Sequence, residues 1–138
     1  MRAVVQRVSS ASVAIEGEKV AAIGPGLLVL LGVAEGDDEG TCDRLADKLR
    51  ALRVFEDDDG RMNEALGERQ VLCVSQFTLL ADTRKGNRPG FTAATPPDVA
   101  EPLYRRFCDR LGAERGRFGA RMAVELVNDG PVTLILEA

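Results

Sequence analysis

The sequence predicts an α+β fold with a largely antiparallel sheet and two main helices. Two observations carry this. Apolar stretches of strand length crowd both ends of the chain, and two segments with helical spacing, opening at Gly36–Glu39 and at Thr95–Asp98, lie between them with one buried strand in the middle. Strands grouped around helices, rather than alternating regularly with them, argue for α+β over a doubly wound sheet. The 138 residues suit a single domain, 1–138. A domain of that size buries roughly two-thirds of its unfolded surface and needs no staples.

Residues 2–8 are rich in valine, and Val4, Gln6 and Val8 share one face of a strand. Val13 and Ile15 alternate into Glu16-Gly17-Glu18, a hairpin turn, and Val20–Ile23 returns. Gly24-Pro25-Gly26 breaks the chain. Leu27–Val33 is a continuous apolar run, the pattern of a fully buried strand. Acidic residues at Asp37–Glu39 open the first helix at its positive end. Cys42, Leu45, Ala46, Leu49 and Leu52 form its apolar stripe. Val54-Phe55 reads as a short strand stopped by Asp57-Asp58-Asp59-Gly60, a turn without the ligand spacing of a calcium loop.

Val71–Val74 is a second buried strand and runs straight into Ser75-Gln76-Phe77-Thr78-Leu79. Residues 81–97 form a long irregular segment rich in Gly, Pro, Asn and Thr, the kind of loop that usually carries function. Thr95 or Asp98 is the expected cap of the second helix, whose stripe is Val99, Leu103, Phe107 and Leu111, with Pro102 in its first turn. Met122–Val127 and Val132–Leu136 are the last strands, joined by Asn128-Asp129-Gly130-Pro131, which reads as a hairpin turn or as the site of a cis proline.

Composition narrows the chemistry. There is no histidine, which excludes Ser-His-Asp and Cys-His mechanisms and removes the commonest metal ligand. Any general base is then a carboxylate, Lys, Tyr, Cys or a group on the substrate. Cys42, Cys73 and Cys108 are odd in number and widely spaced, and they read as buried small hydrophobes rather than as a disulfide or zinc set. No metal and no cofactor is expected. Net charge is −4, yet residues 81–121 carry nine basic groups against five acidic ones. That local surplus is either a solvated helix face or a grip on a few phosphates. No apolar run approaches the ~20 residues of a membrane span, and the N-terminus lacks a signal-peptide layout, so a cytoplasmic location is expected.

Three segments stand out chemically. Ser75, Gln76 and Thr78 surround Phe77 at a strand end, where free N–H groups can hold a developing oxyanion. Gly86-Asn87-Arg88-Pro89-Gly90-Phe91-Thr92 joins flexibility, a cation and an aromatic ring. Asn128–Pro131 is the third.

Together Val74–Leu79, Arg88-Pro89-x-Phe91 and Asn128–Thr133 resemble the hallmark motifs of bacterial-type D-aminoacyl-tRNA deacylases. Val5-Gln6-Arg7-Val8 and Gly26–Val33 resemble the same family, so the likeness runs end to end. The resemblance implies a small barrel-like domain that dimerises with its active sites at the interface. It implies that Ser75, Gln76, Phe77 and Thr78 line the pocket for the terminal adenosine and the ester. Gly130 and Pro131 would form a cis peptide that enters the partner's pocket as the chiral selector. Arg7 would brace that segment or meet a phosphate, and Lys85, Arg88 and Phe91 would face the RNA. The chain departs from the family at Gly90, where Ser is frequent, and at Arg121, where Asp is frequent.

The implied substrate is D-aminoacyl-tRNA, with glycyl-tRNA also accepted, and the implied partner is a second copy of the chain. The substrate's 2′-hydroxyl stands beside the ester and can activate or orient water, which suits a protein without histidine. A non-enzymatic nucleic-acid-binding module and an esterase for small D-amino-acid derivatives are the competing readings.

Overall fold

The computed structural model describes residues 1–138. Its spine is β1 (Arg2–Ile15), a single long strand rather than two short ones. β2 (Glu18–Ile23), β3 (Gly26–Gly32) and the 15-residue terminal strand, Ala123–Glu137, all pair with β1 in antiparallel fashion. The sheet is nevertheless mixed. β3 is followed by α1 (Glu39–Ala51), by the small hairpin of β4 (Phe55–Glu56) and β5 (Met62–Glu64), and by β6 (Gln70–Ser75). β6 lies parallel to β3, and after α2 (Pro97–Leu111) the two-residue β7 (Glu114–Arg115) lies parallel to β6. A parallel neighbour requires a crossover, and the two helices supply it. The expectation of a largely antiparallel sheet therefore holds only around β1. β2 curves back towards β6 and β7, so the sheet nearly closes into a barrel.

β3 and β6 are covered on both faces, which explains their unbroken apolar sequences. On one side Leu27, Val29, Leu31, Val71 and Cys73 meet the helices through Cys42, Leu45, Leu49, Leu103 and Phe107. On the other side Leu28, Leu72 and Val74 pack with Val8 and Val13. Each leucine buried this fully is worth about 2 kcal/mol over an exposed one. Tyr104 ties α2 to the sheet by donating from its hydroxyl to the Cys73 carbonyl at 2.8 Å.

Asp38 caps α1 by accepting the Thr41 amide, as the acidic opening suggested. α2 differs from expectation twice. Its N-cap is Pro96, with no side-chain cap from Thr95 or Asp98, and Pro102 sits beyond the first turn. The bond lost at Pro102 falls on the exposed side of the helix, where water can serve the free Asp98 carbonyl. Asn128–Pro131 is not a hairpin turn. The terminal strand, β8, passes through it as one strand, with register irregularities opposite Gln6–Ser10. No helix is long and apolar enough to cross a membrane.

The start of β6 leaves no room for a side chain on β3. A Cβ at Gly26 would stand 1.8 Å from the Gln70 carbonyl oxygen. Gly26→Ala is expected to destabilise the protein by about 1–3 kcal/mol in urea unfolding. An unchanged midpoint would mean that this pairing is looser than described.

Candidate active site

β6 ends at Ser75, and the next amide, of Gln76, still donates to the Leu31 carbonyl at 2.7 Å. The chain then tightens into a 3-10 turn, Phe77–Leu80. Arg2 holds the far end of this turn by donating to the Leu79 carbonyl at 2.8 Å. The Phe77 and Thr78 amides, at its open start, donate to no group of the chain. The Gln76 side chain donates to the Thr78 hydroxyl. Phe77 is 56% exposed and meets Phe91 edge to face, with ring centroids 5.1 Å apart. Phe91 arrives there because Asp82 and Gly90 exchange two backbone bonds of 2.8 and 2.9 Å, closing the loop between them. Gly90, one of the two family departures, serves this bridge through its backbone alone.

Of these residues Ser75, Gln76, Phe77 and Phe91 border a cavity of about 590 Å³, whereas Thr78, expected in its wall, lies one residue beyond it. Val74, Ser75, Gln76 and Phe77 form one wall. Phe91 with Ala94–Pro97 forms a second, and Phe118–Ala120 with Met122 closes the third. Thr95–Pro97 had been legible only as a helix start. Their role as a wall follows from the bond between the Thr95 amide and the Val33 carbonyl, 3.1 Å, which no sequence pattern displays.

The lining contains no ionisable side chain at all. It offers aromatic and apolar surface, two hydroxyls, one carboxamide and the free backbone amide of Phe77, with the free Thr78 amide just outside the wall. Such a set can stack on a ring, orient a polar group and stabilise an oxyanion. It cannot perform acid–base chemistry with a side chain of its own beyond the weak Ser and Thr hydroxyls. The cysteines do not change this. All three are buried and none lines the cavity; burial pushes the Cys42 thiol up to about 11 and raises that of Cys73 as well.

Gly130 and Pro131 are exposed, joined by a cis peptide bond, and absent from the cavity wall. Their surroundings are firmly held. Arg7 is the single buried charged residue, 5% exposed. Its Nε donates to the Asp129 carbonyl at 2.9 Å and lies 3.3 Å from the Asp129 carboxylate. Its Nη1 donates to the Val54 carbonyl at 2.6 Å. Asn128 donates from its carboxamide to the Arg7 and Val132 carbonyls at 3.0 and 3.1 Å, spanning the irregular stretch of β8. A Cβ on Gly130 would meet the Asn128 Oδ1 at 2.7 Å.

Five of the nine basic groups of residues 81–121 are spent on internal ion pairs, Arg84 with Asp82 among them. Arg106 and Arg110 bridge α2 to Asp43 and Asp47 of α1, Arg105 pairs with Glu101, and Arg115 with Asp109. The arginines hold the Asp43 and Asp47 carboxyls below their ordinary value. A groove of about 760 Å³ between the helices is lined by these same paired charges and offers little unspent chemistry. Asp82 is held at about 2 by its bonds to Arg84. Lys85, Arg88, Arg117 and Arg121 make no ion pair, so no salt bridge forms at the second departure.

The profile of the family described as D-Tyr-tRNA(Tyr) deacylase matches residues 4–137. A protein of Symbiobacterium thermophilum described as D-aminoacyl-tRNA deacylase is 57% identical over 145 aligned positions, covering 100% of this chain and 96% of its own. One of Opitutus terrae with the same description is 56% identical, covering 100% and 97%. A solved structure described as c-Myc DNA Unwinding Element Binding Protein superposes with a TM-score of 0.94 at 42% identity, covering 100% of this chain and 99% of that one. A structure described as a probable eukaryotic D-amino acid tRNA deacylase superposes with a TM-score of 0.84 at 17% identity, covering 98% and 97%, and speaks for the fold alone.

Arg7→Met keeps the bulk of Arg7 but leaves the Val54 and Asp129 carbonyls without their donor. The expected loss is about 1–3 kcal/mol of stability, measured by urea unfolding at neutral pH. A midpoint equal to that of the parent protein would show that water replaces the guanidinium at no cost.

Proposed function

This chain belongs to the D-Tyr-tRNA(Tyr) deacylase family, and from that premise we propose that it is the hydrolase that cleaves the ester of D-aminoacyl-tRNA, releasing free tRNA and the D-amino acid. The observation that carries the mechanism is a cavity with no ionisable side chain in its lining and with the unpartnered Phe77 amide at its edge. An aminoacyl ester is already activated, and its 2′-hydroxyl lies next to the bond to be broken. In the proposed reaction that hydroxyl orients the water and takes its proton as the water attacks the carbonyl carbon, passing its own proton on towards the 3′-oxygen. The Phe77 and Thr78 amides meet the oxyanion. The carbonyl re-forms as the 3′-oxygen leaves and takes the proton. The protein's share is positioning and preorganised dipoles. The Gln76 amide, spent on Leu31, is not among the donors.

Ser75, Gln76, Phe77 and Thr78 are assigned to the ester and the terminal adenosine, with Phe77 and Phe91 as stacking surface. Lys85 and Arg88, unpaired at a loop tip, are assigned to RNA phosphates. Thr78 is a poor nucleophile, because the group bonded to its hydroxyl is a carboxamide rather than a base.

Gly130 and Pro131 are assigned as the chiral selector. Backbone carbonyls there would hold the substrate's amino group and leave no space for an L side chain, a rejection rather than a preference. D side chains would point outward, and glycine would pass. Neither residue lines the cavity of its own chain, which supports delivery from a second copy. β8 supports the same view. It is a long strand paired on one side only, and Val127 (56%) and Ile135 (67%) are exposed on it. The reading treats residues 1–138 as one catalytic domain in a homodimer.

Purified, chelator-treated protein is expected to cleave D-tyrosyl-tRNA and glycyl-tRNA and to spare L-tyrosyl-tRNA. Thr78→Val is expected to retain D-tyrosyl turnover within about tenfold, the scale of a lost orienting bond rather than of a lost nucleophile. Survival of all three esters at high protein concentration would remove the catalytic reading and favour a nucleic-acid-binding module. Equal cleavage of the D and L esters would remove the selector.

A further inference from the structure

We propose that Arg69 is a positioning residue for the Asp129-Gly130-Pro131 segment, acting through Phe55, Val54 and Arg7. The inference rests on the selector role assigned above and concerns what keeps that selector in place. Arg69 lies in the connection that leads from the β4–β5 hairpin into β6, at the opposite end of β6 from the cavity.

The geometry is a chain of three contacts joined by one peptide bond. Arg69 places its guanidinium 4.3 Å from the centroid of the Phe55 ring. Its own position is set by the Glu64 carboxylate at 2.9 Å and the Ala65 carbonyl at 3.1 Å. Phe55 is buried, so its ring has few alternatives once the cation covers that face. The peptide joining Val54 to Phe55 is thereby oriented, and the Val54 carbonyl accepts the shortest bond made by Arg7, 2.6 Å. The opposite side of the same guanidinium donates to the Asp129 carbonyl, the peptide immediately before Gly130. Arg7, Phe55, Glu56, Arg69 and Asp129 all border one small cleft, which brings the hairpin and the selector segment to the same place.

Arg7 makes this chain consequential. A buried guanidinium cannot drop an acceptor cheaply, so it follows the Val54 carbonyl when that carbonyl turns. If it follows, its bond to Asp129 lengthens or breaks, and Gly130-Pro131 gains freedom. A selector that works by exclusion tolerates little of that freedom. The D ester, which it does not clash with, is insensitive to small movements, whereas the L ester gains entry. Loss of the stack should therefore appear in discrimination before it appears in D-ester turnover.

The test compares the parent protein with Arg69→Gln, Arg69→Lys and Phe55→Leu in two readouts. The first is the ratio of D-tyrosyl- to L-tyrosyl-tRNA hydrolysis. The second is amide hydrogen exchange in the peptide spanning residues 124–136, which requires no activity. Arg69→Gln and Phe55→Leu are expected to lower the ratio about threefold or more, with D-ester turnover within about twofold, and to speed exchange locally. Arg69→Lys keeps a cation over the ring and is expected to restore both readouts. Parent-like ratio and exchange in Arg69→Gln overturn the proposal. Exchange that rises across the whole chain overturns it as well, because the residue then serves general stability. If the parent protein itself fails to distinguish D from L, the selector reading falls, while local exchange still decides whether Arg69 positions the segment.

Discussion

β3 and β6 run side by side with both faces covered, and the Leu31 carbonyl still accepts the Gln76 amide one residue beyond the end of β6. This pairing places Ser75 and fixes the direction in which the chain leaves the core. The turn that follows cannot continue the strand, so its first amides emerge with no internal partner. Everything the cavity offers to an ester descends from that exit point. The walls opposite are brought up by α2, which Tyr104 pins to the carbonyl of Cys73 two residues upstream of Ser75. Helix, strand end and cavity wall therefore behave as one rigid frame, the setting in which fixed dipoles are most effective.

Charge is distributed in a way that reinforces this. Between the two helices Arg106 and Arg110 are consumed in ion pairs with Asp43 and Asp47. The cavity receives none. The one buried charged side chain, Arg7, stands under Gly130-Pro131 and bonds mainly to backbone carbonyls, so it acts as a fastener rather than as a reagent. A protein arranged in this way supplies shape, hydrogen-bond donors and exclusion, and in the proposed reaction the reacting hydroxyl and water come with the substrate.

Much of this was legible in the sequence because it rests on local pattern. The continuous run Leu27–Val33 announced a strand covered on both faces, the stripe from Cys42 to Leu49 announced α1, and the absence of histidine limited the chemistry before any fold was known. Ser75–Thr78, Phe91 and Gly130-Pro131 were singled out by composition and by resemblance. What was not legible depends on distant pairing. The parallel placement of β6 beside β3, the β7 strand of two residues, and the continuity of β8 through Asn128–Pro131 are set by partners far along the chain. Pro102 was misplaced because a proline's cost depends on whether the freed carbonyl meets water. The contact of Arg7 with Val54 and the part of Thr95–Pro97 in the cavity wall likewise have no sequence signature.

The central claim is that the chemistry belongs to the substrate's 2′-hydroxyl, held in a cavity that has no ionisable side chain. The most direct measurement is single-turnover hydrolysis of a D-tyrosyl ester carried on the 3′-oxygen of a tRNA ending in 2′-deoxyadenosine, beside the same ester on natural tRNA. The account predicts that the deoxy substrate binds and that its ester survives while the natural one is cleaved. Cleavage of the deoxy ester at an undiminished rate would contradict it and would return the reaction to a group on the protein, with Thr78 first in line.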